Sequence, residues 1–290
     1  MLFSAKAIVV KLCYQHGADA ETVLALRMLF SLPFFWAAVW WYTRSRSPAP
    51  VERKDMVTML LLGFVGYYLS SYLDFLGLQY ISVGLERIIL YLNPTLVLVI
   101  SALALKKRVD SRQWLVMGIA YAGVALVFLH DVRLDGQRAA LGSGLVFLCA
   151  VTYAIYLIYA GEIVSRVGSI RLVAYASASS TFFCVLQVLV RNPLGLVSQG
   201  AEVYGLSLLN ASLCTFVPML LIMAAVNRVG PGLTAQAGVV GPVATVFLGW
   251  HFLGEALGLL QVVGVVVVLG SMGMLLAVAP TPQARSHGTE

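Results

Sequence analysis

The 290-residue chain reads as an all-α integral membrane protein, with ten transmembrane helices arranged as two inverted five-helix repeats around a central cavity. Three observations predict this class. The chain is 60% hydrophobic and only 11% charged, whereas charged residues make up about a quarter of an ordinary soluble domain. Its apolar runs are long enough to cross a bilayer. Finally, Gly84, Leu85, Pro94, Leu105 and Gln113 return 148 positions later as Gly232, Leu233, Pro242, Leu253 and Gln261. A unit with an odd number of spans must insert its second copy upside down.

About 20 apolar residues cross the hydrocarbon core. Runs of that order occupy 22–42, 56–78, 83–105, 111–129, 141–160, 170–190, 204–226, 232–252 and 257–279. The first segment, 1–14, is short for a span, yet the repeat lays it over the later part of 141–160. This reading therefore expects about eight further residues upstream of the first helix. Residues 1–138 then form the first repeat, 139–279 the second, and 280–290 a polar tail. The first segment carries Lys6 and Lys11 and lacks a small-residue cleavage site, unlike a signal peptide.

Lysine and arginine accumulate in cytoplasmic loops. Alternate links hold Arg44, Arg46, Arg53 and Lys54, then Lys106, Lys107, Arg108 and Arg112, then Arg166 and Arg171, then Arg228, with Arg285 in the tail. The opposite links hold only Arg133, Arg138 and Arg191. Both termini are expected in the cytoplasm, and the membrane is expected to be the inner one. The net charge of +6 comes in these short clusters between apolar runs, so it reports orientation and no nucleic-acid partner.

Charges inside spans are the first candidate functional groups, because a lysine at the bilayer centre costs about 2.5 to 3.5 kcal/mol on insertion scales. With the upstream residues in place, Lys6 falls near that centre; without them it snorkels at an interface. Lys11, Arg27, Asp74, Glu86 and Arg87 gather nearer the outer ends of the first four helices. They read as an outer structural ion network, with steering of an anionic or zwitterionic solute as the alternative.

The second signal is a pair of helix breakers, Pro94 after Asn93 and Pro242 after Gly241, each halfway along a span and in matching repeat positions. Each removes a backbone donor and bends its helix, and inverted repeats with interrupted helices mark the binding sites of secondary transporters. At similar depth lie Tyr67, Tyr68, Ser70 and Ser71, Tyr91 and Asn93, Tyr153 and Tyr156, and Gln236. Together they offer hydrogen bonds and aromatic surface to a small amphipathic molecule; core packing is the competing reading for any one tyrosine. Gly118, Gly123, Gly264, Gly270 and Gly273 are candidates for close helix packing.

Other chemistry is missing from the pattern. The cysteines, Cys13, Cys149, Cys184 and Cys214, all fall in apolar segments without metal-ligand spacing. No histidine is placed to serve a buried nucleophile, and no phosphate-binding loop of the Walker type occurs. No enzyme, metal or cofactor is expected, and no filter-like sequence argues for a channel.

The residues Phe3-Ser4-Ala5-Lys6 through Lys11, then Leu24-Ala25-Leu26-Arg27, then Gly77 to Leu85 leading to Asn93-Pro94, and Gly241-Pro242 leading to Leu253-Gly254-Glu255, resemble the EamA family of the drug/metabolite transporter superfamily. The resemblance covers nearly the whole chain. It implies ten helices, inverted halves, cytoplasmic termini and a cavity open alternately to each side, in exporters of amino acids, notably aromatic ones, and other metabolites. The chain departs from that pattern at Lys6, where many relatives carry a neutral polar residue, and at Lys107, which is equivalent to Glu255.

The expected function is export of small metabolites, amino acids first, with Lys6 receiving a carboxylate and Tyr67, Ser71, Tyr91, Asn93, Tyr153, Tyr156 and Gln236 holding the remainder. Pro94 and Pro242 bend the helices that rock. Proton antiport, exchange and facilitated diffusion stay open, with Asp74 and Glu86 as proton-carrier candidates, as do monomer and homodimer. Lipophilic-cation export is the alternative, and a non-transport scaffold the remoter one.

Overall fold

A computed structural model describes residues 2–46, 51–105, 114–115, 118–119, 121–123, 137–236, 251 and 259–278. Among these residues all regular structure is helical. The helices are α1 (Leu2–Gln15), α2 (Ala20–Arg46), α3 (Arg53–Gly63), α4 (Ser70–Gly77), α5 (Val83–Leu90), α6 (Asn93–Leu105), α7 (Gln137–Val167), α8 (Ser169–Arg191), α9 (Ala201–Ala211), α10 (Val217–Gln236) and α11 (Leu259–Val278). Several join into longer units, and among the described residues six segments are long and apolar enough to cross a membrane: 20–44, 53–77, 83–103, 137–167, 169–191 and 201–232. The expected spans at 111–129 and 232–252 lie largely outside the described residues, as do Pro242 and the side chain of Gln236.

Two of the long units contain a π-helical stretch. Phe64–Leu69 joins α3 to α4, and Ser212–Phe216 joins α9 to α10. Each accommodates one extra residue in a turn, seen where Ser70 N–H reaches Val65 O and Val217 N–H reaches Ser212 O. The second has a local cause: Pro218 has no N–H for the carbonyl of Cys214, and the wider turn gives its ring room. The two stretches begin at Phe64 and Ser212, the same 148-residue spacing as the sequence repeat.

A second irregularity keeps that spacing. Ser82 caps α5 by accepting a hydrogen bond from Leu85 N–H at 3.1 Å. Its counterpart, Gly230, breaks α10 with φ 86°, a left-handed conformation that glycine adopts without a Cβ penalty, and Pro231 restarts the helix. In the fourth span the chain turns at Tyr91 and Leu92, so Asn93 opens α6 with Pro94 in its first turn, where a missing N–H costs little.

The main packing runs between the two halves of the chain. α2 and α3 lie against α8; α4, α5 and α6 lie against α7; α9 lies against α1 and α2; and α10 touches α6, α7 and α8. Close approach is set by glycines the sequence did not single out. A Cβ on Gly63 would run into the backbone of Ala176, one on Gly66 into the ring of Tyr156, and Gly77 and Gly142 face one another across α4 and α7. By contrast, Gly270 and Gly273 meet no neighbour within 4 Å among the described residues. The outward surface is apolar, with Leu148, Phe182 and Leu221 exposed in mid-helix, as lipid-facing positions require.

Polar ties close both ends of the bundle. Asn192 Nδ2, just after α8, donates to Asp19 Oδ2 in the α1–α2 link at 3.1 Å. At the opposite ends of their helices Arg166 of α7 meets Asp55 of α3 at 2.9 Å. These ties match spans that run alternately up and down.

Candidate functional site

Five ionisable side chains of α1, α2, α4 and α5 are buried in the bundle or at its edge. Lys6 Nζ contacts Asp74 Oδ2 at 2.5 Å, an ion pair between α1 and α4 with both side chains almost fully enclosed. Arg27 lies over the ring of Phe75 at 4.8 Å from its centroid, and Lys6 approaches the same ring at 5.6 Å. Glu86 and Arg87 open α5, with Arg87 Nε 3.1 Å from Glu86 Oε2. Asp74 lies within electrostatic reach of both Lys6 and Arg87, and Glu86 within reach of Asp74.

Lys6 therefore belongs to one cluster with Arg27, Asp74, Glu86 and Arg87 of the expected outer network. Lys11, half-buried, stands further along α1. Arg171, which sequence reasoning counted among loop charges, is buried in the first turn of α8.

A second tier is aromatic. Tyr156 Oη–H donates to Tyr67 Oη at 2.9 Å, with ring centroids 5.0 Å apart, and Tyr153 stacks on Tyr156 at 5.8 Å. Tyr91 is buried with its hydroxyl unpartnered. Asn93 donates from Nδ2 to Ala150 O at 3.1 Å, leaving Oδ1 bare. Ser71 is buried one turn after Tyr67, while Tyr68 turns to Gln187 on α8 at 2.9 Å.

The two tiers share a wall. Tyr67, Ser70, Ser71 and Asp74 are spaced by three and four residues and so lie along one face of the third span. Ser70 Oγ sits 3.3 Å from Cys149 Sγ, next to the Ala150 carbonyl that binds Asn93. Cys149 is itself within electrostatic reach of Asp74, Lys6 and Glu86. Charges that can hold an ionic head thus adjoin rings that can hold an apolar body, inside a helical bundle with a lipid-compatible exterior.

Sequence reasoning missed Phe75, which carries both cations, and Asn210 and Ser207 of α9, whose side-chain polar atoms are fully buried without hydrogen-bond partners. Asn210 was legible as a lone amide within an apolar run. Among the described residues no cluster of histidine, cysteine or acid is arranged to hold a metal.

This combination of apolar spans and an enclosed polar interior defines a membrane transporter. The EamA-like transporter family model matches residues 1–129 and 140–277, and the chain belongs to that family. Named relatives come from Bacillus subtilis (strain 168). The protein called uncharacterized transporter YcbK is 33% identical over 274 residues, covering 90% of this chain and 85% of its own. Uncharacterized transporters YdfC and YyaM are 25% and 24% identical, covering 89% and 78% of this chain and 82% and 74% of theirs. A solved structure, titled only as the crystal structure of a protein, superimposes with a TM-score of 0.71 at 15% identity, covering 96% of this chain and 93% of its own. That likeness extends the shared fold over nearly the full length.

Proposed function

We propose that this transporter exports amino acids, aromatic ones included, across the inner membrane by alternating access between two inverted five-helix halves. The observation that carries the reading is the junction of the two tiers. The Lys6, Arg27, Asp74, Glu86 and Arg87 cluster offers both signs of charge to a zwitterion, and Tyr67, Tyr91, Tyr153 and Tyr156 offer ring surface and hydroxyls beside it.

The inversion is supported by irregularities that recur at one spacing: the π-helical stretches, and the Ser82 and Gly230 breaks. The interrupted spans supply places where a helix can flex without losing its packing. The excess of basic residues in alternate links supports termini in the cytoplasm, a topology that would put the Asp55–Arg166 tie on that side and the Asp19–Asn192 tie outside. Monomer and homodimer serve this mechanism equally. Three buried cations against two acids favour solutes with a carboxylate over lipophilic cations.

The test is a flux screen of the twenty common amino acids in proteoliposomes holding the purified chain. Saturable movement of phenylalanine or tyrosine above empty liposomes is expected. Movement of lipophilic cations with no amino-acid flux would overturn the assignment.

A further inference from the structure

Arg27 occupies an unusual position within the cluster. It is 2% exposed, and its Nε and Nη2 are buried without a hydrogen-bond partner. Asp74 meets Lys6 through Oδ2 and Glu86 lies against Arg87, while Asp74 Oδ1 and both Glu86 oxygens are buried without a hydrogen-bond partner. Among the described residues no carboxylate stands within ion-pair distance of Arg27. A guanidinium does not give up its proton in a protein, so the charge stays and its desolvation must be offset. Phe75 covers one face of the guanidinium plane. A ring over that face contributes cation–π attraction but leaves the in-plane N–H groups bare.

Both amide atoms of Asn210 and the hydroxyl of Ser207, one turn earlier, are buried without partners on α9, which packs on α1 and α2. One turn past Asn210, Cys214 lies within electrostatic reach of Lys6, Arg27 and Arg87. The planar fork of Nε and Nη2 N–H groups fits a carboxylate, which accepts two parallel N–H bonds.

We infer that Arg27, with Asn210 beside its helix, is the receptor for a carboxylate on the carried solute, and that the Lys6–Asp74 pair keeps Lys6 from competing for it. This deepens the amino-acid reading and rests on it for the identity of the solute, but not for the anion site itself. The solute carboxylate would supply the partner that the fold withholds from Arg27.

The experiment is calorimetric titration of the purified full chain with benzoate, L-phenylalanine and L-phenylalaninamide, for the wild type, Arg27→Gln and Arg27→Lys, each checked for a single monodisperse species. Benzoate and phenylalanine should bind the wild type, at least about tenfold more weakly to Arg27→Gln, and several-fold more weakly to Arg27→Lys, which keeps the charge but loses the fork. Phenylalaninamide, lacking the carboxylate, should bind the wild type weakly and Arg27→Gln equally so. Arg27-dependent benzoate binding without any amino-acid binding upholds the anion site and removes the amino-acid reading. Benzoate affinity unchanged in Arg27→Gln, equal loss of the acid and the amide, or no benzoate binding to the wild type overturns the inference. Should Arg27→Gln fail to fold, Arg27→Lys decides, and undiminished benzoate affinity there overturns it.

Discussion

Lys6 of α1 and Asp74 of α4, 68 positions apart, form an ion pair sealed from solvent, and it ties the two helices together. Breaking a buried pair leaves an uncompensated charge, whereas removing both partners does not. Asp74→Asn should therefore destabilise the protein by about 3 to 5 kcal/mol, and the double change Lys6→Met with Asp74→Leu should recover most of that loss. Unfolding in mixed detergent micelles reads both. A single-variant loss below about 1 kcal/mol would mean that the pair is solvated.

Gly66 sits where the first π-helical stretch presses on Tyr156, and an added Cβ would enter the ring's own volume. Gly66→Ala should cost about 1 to 3 kcal/mol through overpacking. It should also tilt Tyr156 away from Tyr67, so that stability and uptake of aromatic substrates fall together. Gly270→Ala, at a position with no neighbour within 4 Å among the described residues, should leave both unchanged. Equal effects from the two substitutions would contradict the packing.

The Tyr156 hydroxyl has one role in this structure, donating to Tyr67. Tyr156→Phe should lose about 0.5 to 1.5 kcal/mol of stability while keeping the ring stack. Flux of aromatic amino acids should be retained at a reduced rate, whereas Tyr156→Ala should abolish it. Full activity in Tyr156→Ala would remove this tier from the pathway.

Arg166 and Asp55 meet at the bundle's end, where the arginine side chain is 62% exposed. Exposed pairs contribute at most about 1 kcal/mol. Asp55→Asn should accordingly change stability little, in contrast to Asp74→Asn, and the same unfolding measurement distinguishes them.

Much of the bundle was legible because lipid imposes a length and a hydropathy on each span. The expected 56–78 and 170–190 runs correspond to helical segments 53–77 and 169–191. Pro94 was legible as an interruption because it lacks an N–H, and the chain does turn just before it. The π-helical stretch at Phe64–Leu69 was not legible, since no proline marks it and its glycine contact depends on where α7 passes. The identity of the partners within the charge cluster was hidden for a related reason. Depth along a span can be counted from its ends, but the rotation that brings Lys6 to Asp74, and leaves Arg27 on Phe75, follows from packing between spans. Conversely, Gly270 and Gly273, chosen for their spacing, meet no neighbour within 4 Å among the described residues, whereas Gly63, Gly66, Gly77 and Gly142 do.

The central claim is that the halves are inverted, and labelling from the two sides of the membrane tests it most directly. Gln79 and Asn227 are repeat equivalents and both exposed, Gln79 in the link between α4 and α5 and Asn227 in α10 three residues before its break at Gly230, and the native cysteines are all buried. Single Gln79→Cys and Asn227→Cys variants would be treated with a membrane-impermeant maleimide in right-side-out and inside-out vesicles. The account predicts that Cys at 79 reacts only from the outside and Cys at 227 only from the cytoplasmic side; reaction of both from the same side would contradict it.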